Sequence, residues 1–211
     1  MFYRLQKQIH LDLNHRTQVT PGLLKYMAKM NFEPYLQYVY IPNLSVIDVK
    51  NEQLEATDWW DSHSRKDYAY IFWWLEKTKT VQRIFSIVVV DDPSNPHSDE
   101  VIEHAAKPFD VEEWDWRKPD ICSDTLVAAA KNVRDLTLYW SGNRAVLKSW
   151  AAEDGLALLP KLKTVRIMAP EVRIPACFLK AALSREWKPP VLIVPVEYGV
   201  HQEDRGDERK L

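Results

Sequence analysis

Two adjacent carboxylates, Asp91 and Asp92, close the apolar run IVVV, and Asn95 follows three residues on. In open α/β folds ligands gather at the carboxyl ends of strands, so a hydrolase or transferase would centre on these three residues. An acyl-phosphate mechanism needs a DxDx[TV] continuation, whereas the chain reads DDPSN, a composition suited to a turn capped by aspartate side chains. His97 and His104 flank Asp99, Glu100 and Glu103, but residues seven apart on a helix stand ~10 Å apart along its axis, too far to share one ion. Ser141 opens an SGN turn without the glycine that a nucleophile elbow requires ahead of it. Glu113 and Asp115 are the right types for a glycosidase pair, yet nothing nearby supplies the apolar pocket that would raise one pKa. Cys122 and Cys177 have neither CxxC nor zinc-site spacing. No catalytic residue, metal or cofactor is assigned on these grounds.

The elements that carry these residues follow one recurring pattern: an apolar residue, a second three positions on, a third two beyond that. It reads Ile84, Ile87, Val89; then Val111, Trp114, Trp116; then Val133, Leu136, Leu138; then Leu162, Val165, Ile167. The starts lie roughly 22 to 29 residues apart with a helix-like segment in each gap, the spacing of a leucine-rich type of strand–helix repeat. Leu36, Val39 and Ile41 extend it backwards, and Val191, Val194 and Val196 offer a sixth match, which Pro195 confines to a sheet edge. The expected fold is therefore an α/β, leucine-rich-repeat-like array on a parallel sheet. Any buried strand shows apolar residues two apart, so a conventional open three-layer α/β sheet stays open as the alternative.

Between these strands, Thr20–Pro21 and Ser98 read as helix starts, as does Ser123, and Asp99, Glu100 and Glu103 suit the positive end of a helix dipole. Residues 65–80, RKDYAYIFWWLEKTKT, read as a helix with Tyr68, Ile71, Phe72 and Leu75 on one face. The polar stretch 52–66, with Trp59 and Trp60 inside it, reads as an insertion loop. The expected organisation is a flexible lead-in over 1–19, one domain over 20–200, and a charged, disordered tail over 201–211.

Composition narrows the function classes. The formal net charge of −2 lacks the cationic excess of a general nucleic-acid binder. Five glycines leave few places for a backbone phosphate cradle, while nine Trp and nine Tyr supply aromatic surface to bury. No apolar run reaches the ~20 residues that span a bilayer, and MFYRLQKQIHLDLNH lacks the apolar centre of a secretory signal. A cytoplasmic protein with a protein partner, and without nucleic acid or membrane, is the expectation.

The segments VVVDD, NPHSDEVIE, WDWRKPDICS, LYWSGNRAVLKSW and GLALLPKLKTVRI resemble the non-catalytic region that precedes the peptidase domain in fungal subtilisin-like (S8) proteins, over roughly residues 30 to 170. The resemblance implies a non-catalytic role, because the family's His-Gly-Thr and Gly-Thr-Ser-Met-Ala motifs belong to a downstream domain and do not occur in this chain. It also implies a free-standing or truncated relative of that region.

If the triplets face the core, the alternate positions face outward: Ser86 and Val88, Glu113 and Asp115, Asp135 and Thr137, Thr164 and Arg166. An open sheet face is where repeat proteins hold partners, so Glu113, Asp115, Asp135, Thr137, Thr164 and Arg166 are the expected partner-binding residues of a non-catalytic interaction or regulatory module.

Overall fold

Parallel strands with one apolar parity and one polar parity can bury only one side, and the chain folds accordingly. A computed structural model describes residues 7–47, 65–170 and 191–196. Its strands are β1 (His10–Asp12), β2 (Gln18–Val19), β3 (Tyr35–Ile41), β4 (Ser45–Val46), β5 (Arg83–Val90), β6 (Glu113–Pro119), β7 (Asp135–Tyr139), β8 (Thr164–Pro170) and β9 (Val191–Val196). The helices are α1 (Pro21–Met27), α2 (Asp67–Trp73), which runs on as a π-helical turn Trp74–Thr78, α3 (Asp99–Ala106), α4 (Ser123–Ala129) and α5 (Arg144–Trp150). Among the described residues β1, β3, β5, β6, β7, β8 and β9 form one wholly parallel sheet in that order. The protein is thus α/β. Neighbouring strands follow chain order without a reversal, so the sheet has no switch point of the kind that places ligands in doubly wound folds.

Register aligns the triplets into rows. Val39, Ile87, Trp114, Leu136 and Val165 are successive partners across five strands, and Ile41, Val89 and Trp116 form the next row. All are buried, together with Ile84, Val111, Val133, Leu138 and Ile167; Leu162 alone of the four triplets is half-buried. Tyr68, Ile71 and Phe72 of α2, Ile102 and Ala105 of α3, Leu126 of α4, and Leu147 and Trp150 of α5 join the same core. The aromatic centre stacks Trp116 on Trp114 and Phe72, with ring centroids 5.6 and 5.9 Å apart, and Tyr68 meets Trp116 edge-on.

Local signals explain most helix starts. The Thr20 hydroxyl accepts from the Leu23 N–H, with Pro21 opening α1; Ser98 caps α3 through the Val101 N–H; and Asn143 caps α5 through the Ala145 N–H, after Gly142 has taken φ 100°. Ser123 departs from its expected capping role. It is the first helical residue of α4, and its hydroxyl instead pairs with that of Ser149 at 2.9 Å, linking α4 to α5.

Two further expectations change. The lead-in over 1–19 is, in its described part, structured: β1 pairs with β3, and Leu11, Leu13 and Val19 are buried. The last strand pairs Val191 with Val165 and Ile193 with Ile167, so Val194 and Val196 do not hold the row positions assigned to them. Trp74, in the π-helical turn after α2, is buried edge-on against Phe32, and Trp73 is half-buried. Trp59 and Trp60, the tail over 201–211 and most of the stretch 52–66 lie outside the described residues.

Trp116 sits in the aromatic centre at 0% exposure, so Trp116→Ala is expected to lower unfolding free energy by ~3–5 kcal/mol in urea denaturation. A loss below ~1 kcal/mol would contradict the register.

Candidate functional site

The carboxyl end of β5 is a polar knot built from the inside out. Asp91, 3% exposed, follows the last buried valines of its strand. Its carboxylate accepts from the Asp92 N–H at 2.9 Å, the His97 N–H at 3.2 Å, His97 Nδ1 at 2.9 Å and Trp116 Nε1 at 3.3 Å. His97 is wholly buried; its Nε2 accepts from the Tyr68 N–H, and its ring stacks on Tyr68 with centroids 4.0 Å apart. Tyr68 in turn donates its hydroxyl to the Val90 carbonyl at 2.6 Å. Burial alone would raise the Asp91 pKa, but the His97 hydrogen bond, then the Trp116 and Asp92 donors, outweigh it and hold the carboxyl below its ordinary 3.8.

Asp92 accepts from the Ser94 N–H, and the Asn95 carbonyl accepts from Arg65. Arg65 also reaches the Leu44 carbonyl at 3.0 Å and the Asp67 carboxylate at 2.9 Å, tying the loops after β3 and β5 to the start of α2. The three residues expected as a ligand site are therefore turn and strand-end partners, with the Asp91 oxygens engaged by donors of the protein itself. His97 and His104 serve no common point, since His97 is committed to Asp91 and His104 is exposed on α3. Ser141 is held by Asp120 through both its N–H and its hydroxyl, which makes it a turn residue. Among the described residues no group of three or more His, Cys, Asp or Glu side chains is placed to hold a metal ion.

The side of the sheet that no described helix covers has a different character. A shallow depression of about 320 Å³ lies on it, lined by Ser86, Val88, Glu113, Asp115, Asp135, Thr137 and Arg166 and by backbone between them. Register explains the grouping: Ser86, Glu113, Asp135 and Thr164 are successive partners in one row, and Val88, Asp115, Thr137 and Arg166 in the next. Five of the six expected partner-binding residues line the depression; Thr164 is the register partner of Asp135 but does not line it.

Charge on this sheet is handled in two ways. Beside the depression, Glu112 is flanked by Arg83 and by Arg134 at 3.3 Å, and Arg83 reaches Asp110 at 3.5 Å, so every charge there has a counter-charge. Inside it, Asp115 accepts from the Tyr139 hydroxyl at 2.9 Å with Arg117 at 3.5 Å. Glu113 and Asp135 stand directly opposite each other with no counter-charge among the described residues, as does Arg166 two strands from Asp115. Like charges directly opposite on a sheet are unfavourable.

The sequence reading missed the extension of this face onto β3 and β1. Tyr38 and Tyr40 alternate with buried Val39 and pair in register with Ser86 and Val88; their rings stack at 6.4 Å. Burial, then Asp12, then Tyr40, raise the Tyr38 pKa, with Asp115 adding to them and Arg117 opposing, so charges on β1 and β6 are felt at one phenol. Their signal was present, because the triplet Leu36, Val39, Ile41 assigns both tyrosines to the outward parity. Arg65 left no such signal, since its acceptors are backbone carbonyls distant in the chain.

Compared with protein-family models, curated proteins and solved structures, the chain matches none. No helix among the described residues is long and apolar enough to cross a membrane.

Two outcomes follow. Because the folded pKa of Asp91 is depressed, its stabilisation is complete above the ordinary 3.8 and is lost as pH falls through the lower folded value. Asp91→Asn is expected to cost ~1–3 kcal/mol at neutral pH, through donors left unsatisfied, and to flatten the acid limb of a Tm-versus-pH curve; an unchanged limb would refute the assignment. Glu113→Gln is expected to raise stability by ~0.2–1 kcal/mol by removing like-charge repulsion, and a clear loss in the same denaturation assay would show an unseen structural role.

Proposed function

We propose that this protein is a non-catalytic interaction module whose leucine-rich-repeat-like strand–helix units present the uncovered sheet face to a protein partner. The observation that carries the reading is the unpaired couple Glu113 and Asp135, facing each other across β6 and β7 while the adjacent Glu112 has two arginines. A chain that neutralises the charges leading into β6 and β7 and leaves the first residues of those strands in repulsion gives up stability, and a partner's opposite charge is the natural source of compensation. Thr137 and Arg166 line the same depression and add a hydroxyl and a cation to it. Complementary charge of this kind sets orientation and association rate more than raw affinity.

The resemblance to the region upstream of fungal subtilisin-like peptidases makes a peptidase of that type one partner worth including. A hydrolase or transferase built on Asp91, Asp92 and Asn95 is disfavoured by the donors that already occupy the Asp91 carboxylate. Asp115 is half-buried and holds Tyr139, so the informative variant reverses Glu113 and Asp135 instead.

In pull-downs from a host-cell extract, the wild-type chain is expected to retain a protein that the Glu113→Lys, Asp135→Lys double variant loses, with both chains showing similar Tm. Equal retention by two folded chains would remove the face from the interaction.

A further inference from the structure

The unmatched charges on the sheet face that no described helix covers are of opposite sign, yet within one chain they stay apart. Glu113 and Asp135 are register partners on β6 and β7, whereas Arg166 stands on β8 in the next outward row, as the partner of Thr137. From the middle of the acidic couple, Arg166 is one and a half strand spacings across, ~7 Å, and two residues along, ~7 Å, so about 10 Å of face separates them. Each is left without a counter-charge among the described residues, although the acids and arginines around them are paired.

A second copy of the chain joins them. For any two points on a face, one twofold axis lying in the interface exchanges the two. A copy turned over about that axis sets its Arg166 on the first copy's acidic couple and its own couple on the first copy's Arg166, so the same contact is made twice, as in isologous interfaces. The offset is about equal across and along the strands, so the axis runs at about 45° to them and the two sheets cross at about 90°, one of the two angles at which sheets pack. Short side chains leave the approach open. Ser86 and Thr164 flank the couple in its own row, and Thr137 stands beside Arg166 in the next. Packed sheets lie ~10 Å apart, a gap that an arginine from one side and a carboxylate from the other bridge together.

Resting on the interaction reading above, we infer that the partner of this face is a second copy of the chain, held by two symmetric contacts of Arg166 with Glu113 and Asp135. The guanidinium is a planar fork of five N–H donors, enough to engage two carboxylates at once. Its charge relieves the repulsion within the couple, and the couple supplies the counter-charge that Arg166 lacks in its own chain.

The test is sedimentation equilibrium on the full chain and on two variants, Glu113→Lys with Asp135→Lys, and Arg166→Glu, each first shown to be folded by circular dichroism. The wild-type chain is expected to sediment at twice its chain mass and to dissociate more readily as salt is added. Each variant alone is expected to have a dissociation constant at least tenfold higher. Mixed in equal amounts, the two variants are expected to form a pair again, because both contacts between them then join opposite charges; loss of folding cannot mimic that recovery. Should a reversed chain fail to fold, Glu113→Gln serves instead. It is expected to raise the Tm of the separate chain while weakening the pair, so that stability and association move in opposite directions.

A wild-type chain that stays single throughout the micromolar range would overturn the inference, as would a pair that neither reversal weakens or that the mixture fails to restore. If the chain stays single while a different protein in the pull-down still depends on Glu113 and Asp135, the second copy is ruled out and the interaction face stands. If that protein is absent as well, both readings fall.

Discussion

The structure depends on rows of apolar side chains that continue unbroken from strand to strand on one side of a parallel sheet. Val39, Ile87, Trp114, Leu136 and Val165 are partners in register, and each is effectively removed from water. Parallel pairing has no tight hairpins to set its register, so the rows and the helices packed on them must do so. A slip by one residue would put Trp114 and Trp116 in solvent and Glu113 and Asp115 in the core, an exchange that the burial energies of two indoles and the cost of two desolvated carboxylates both forbid.

The same constraint produces the candidate site. Once one parity is committed to the core, the other is free to vary without disturbing the fold, and this chain uses that freedom unevenly. The Asp110–Arg83–Glu112–Arg134 series is neutralised internally, whereas Glu113, Asp135 and Arg166 are left unmatched among the described residues. The neutralised series lies mostly in the turns that lead into β6 and β7, directly beside the first residues of those strands.

The four apolar triplets were legible in the sequence because their period is local, and the outward residues followed from them by parity. The last strand was misread for a physical reason: Val191, Leu192, Ile193 and Val194 are all apolar, so no alternation marks which of them belongs to a row. β1 is only three residues long, and the core leucines Leu11, within it, and Leu13, just after it, stand among polar neighbours that resemble a lead-in. The role of Asp91 was out of reach because its partners His97 and Trp116 arrive from a loop and from another strand, and no spacing rule connects them.

The unreversed strand order governs how the protein comes apart. Each strand of the seven-stranded sheet touches the sheet strand before it and the one after it, so among the described residues the sheet behaves as a line of coupled segments whose two end segments have one neighbour instead of two. Opening therefore starts at the termini and moves inward like a zip, with β5, β6 and β7, where the tryptophans stack, as the last to exchange their amide hydrogens. The strands that bear Glu113 and Asp135 fall within that slowest segment, so their carboxylates keep fixed positions while the outer strands fray.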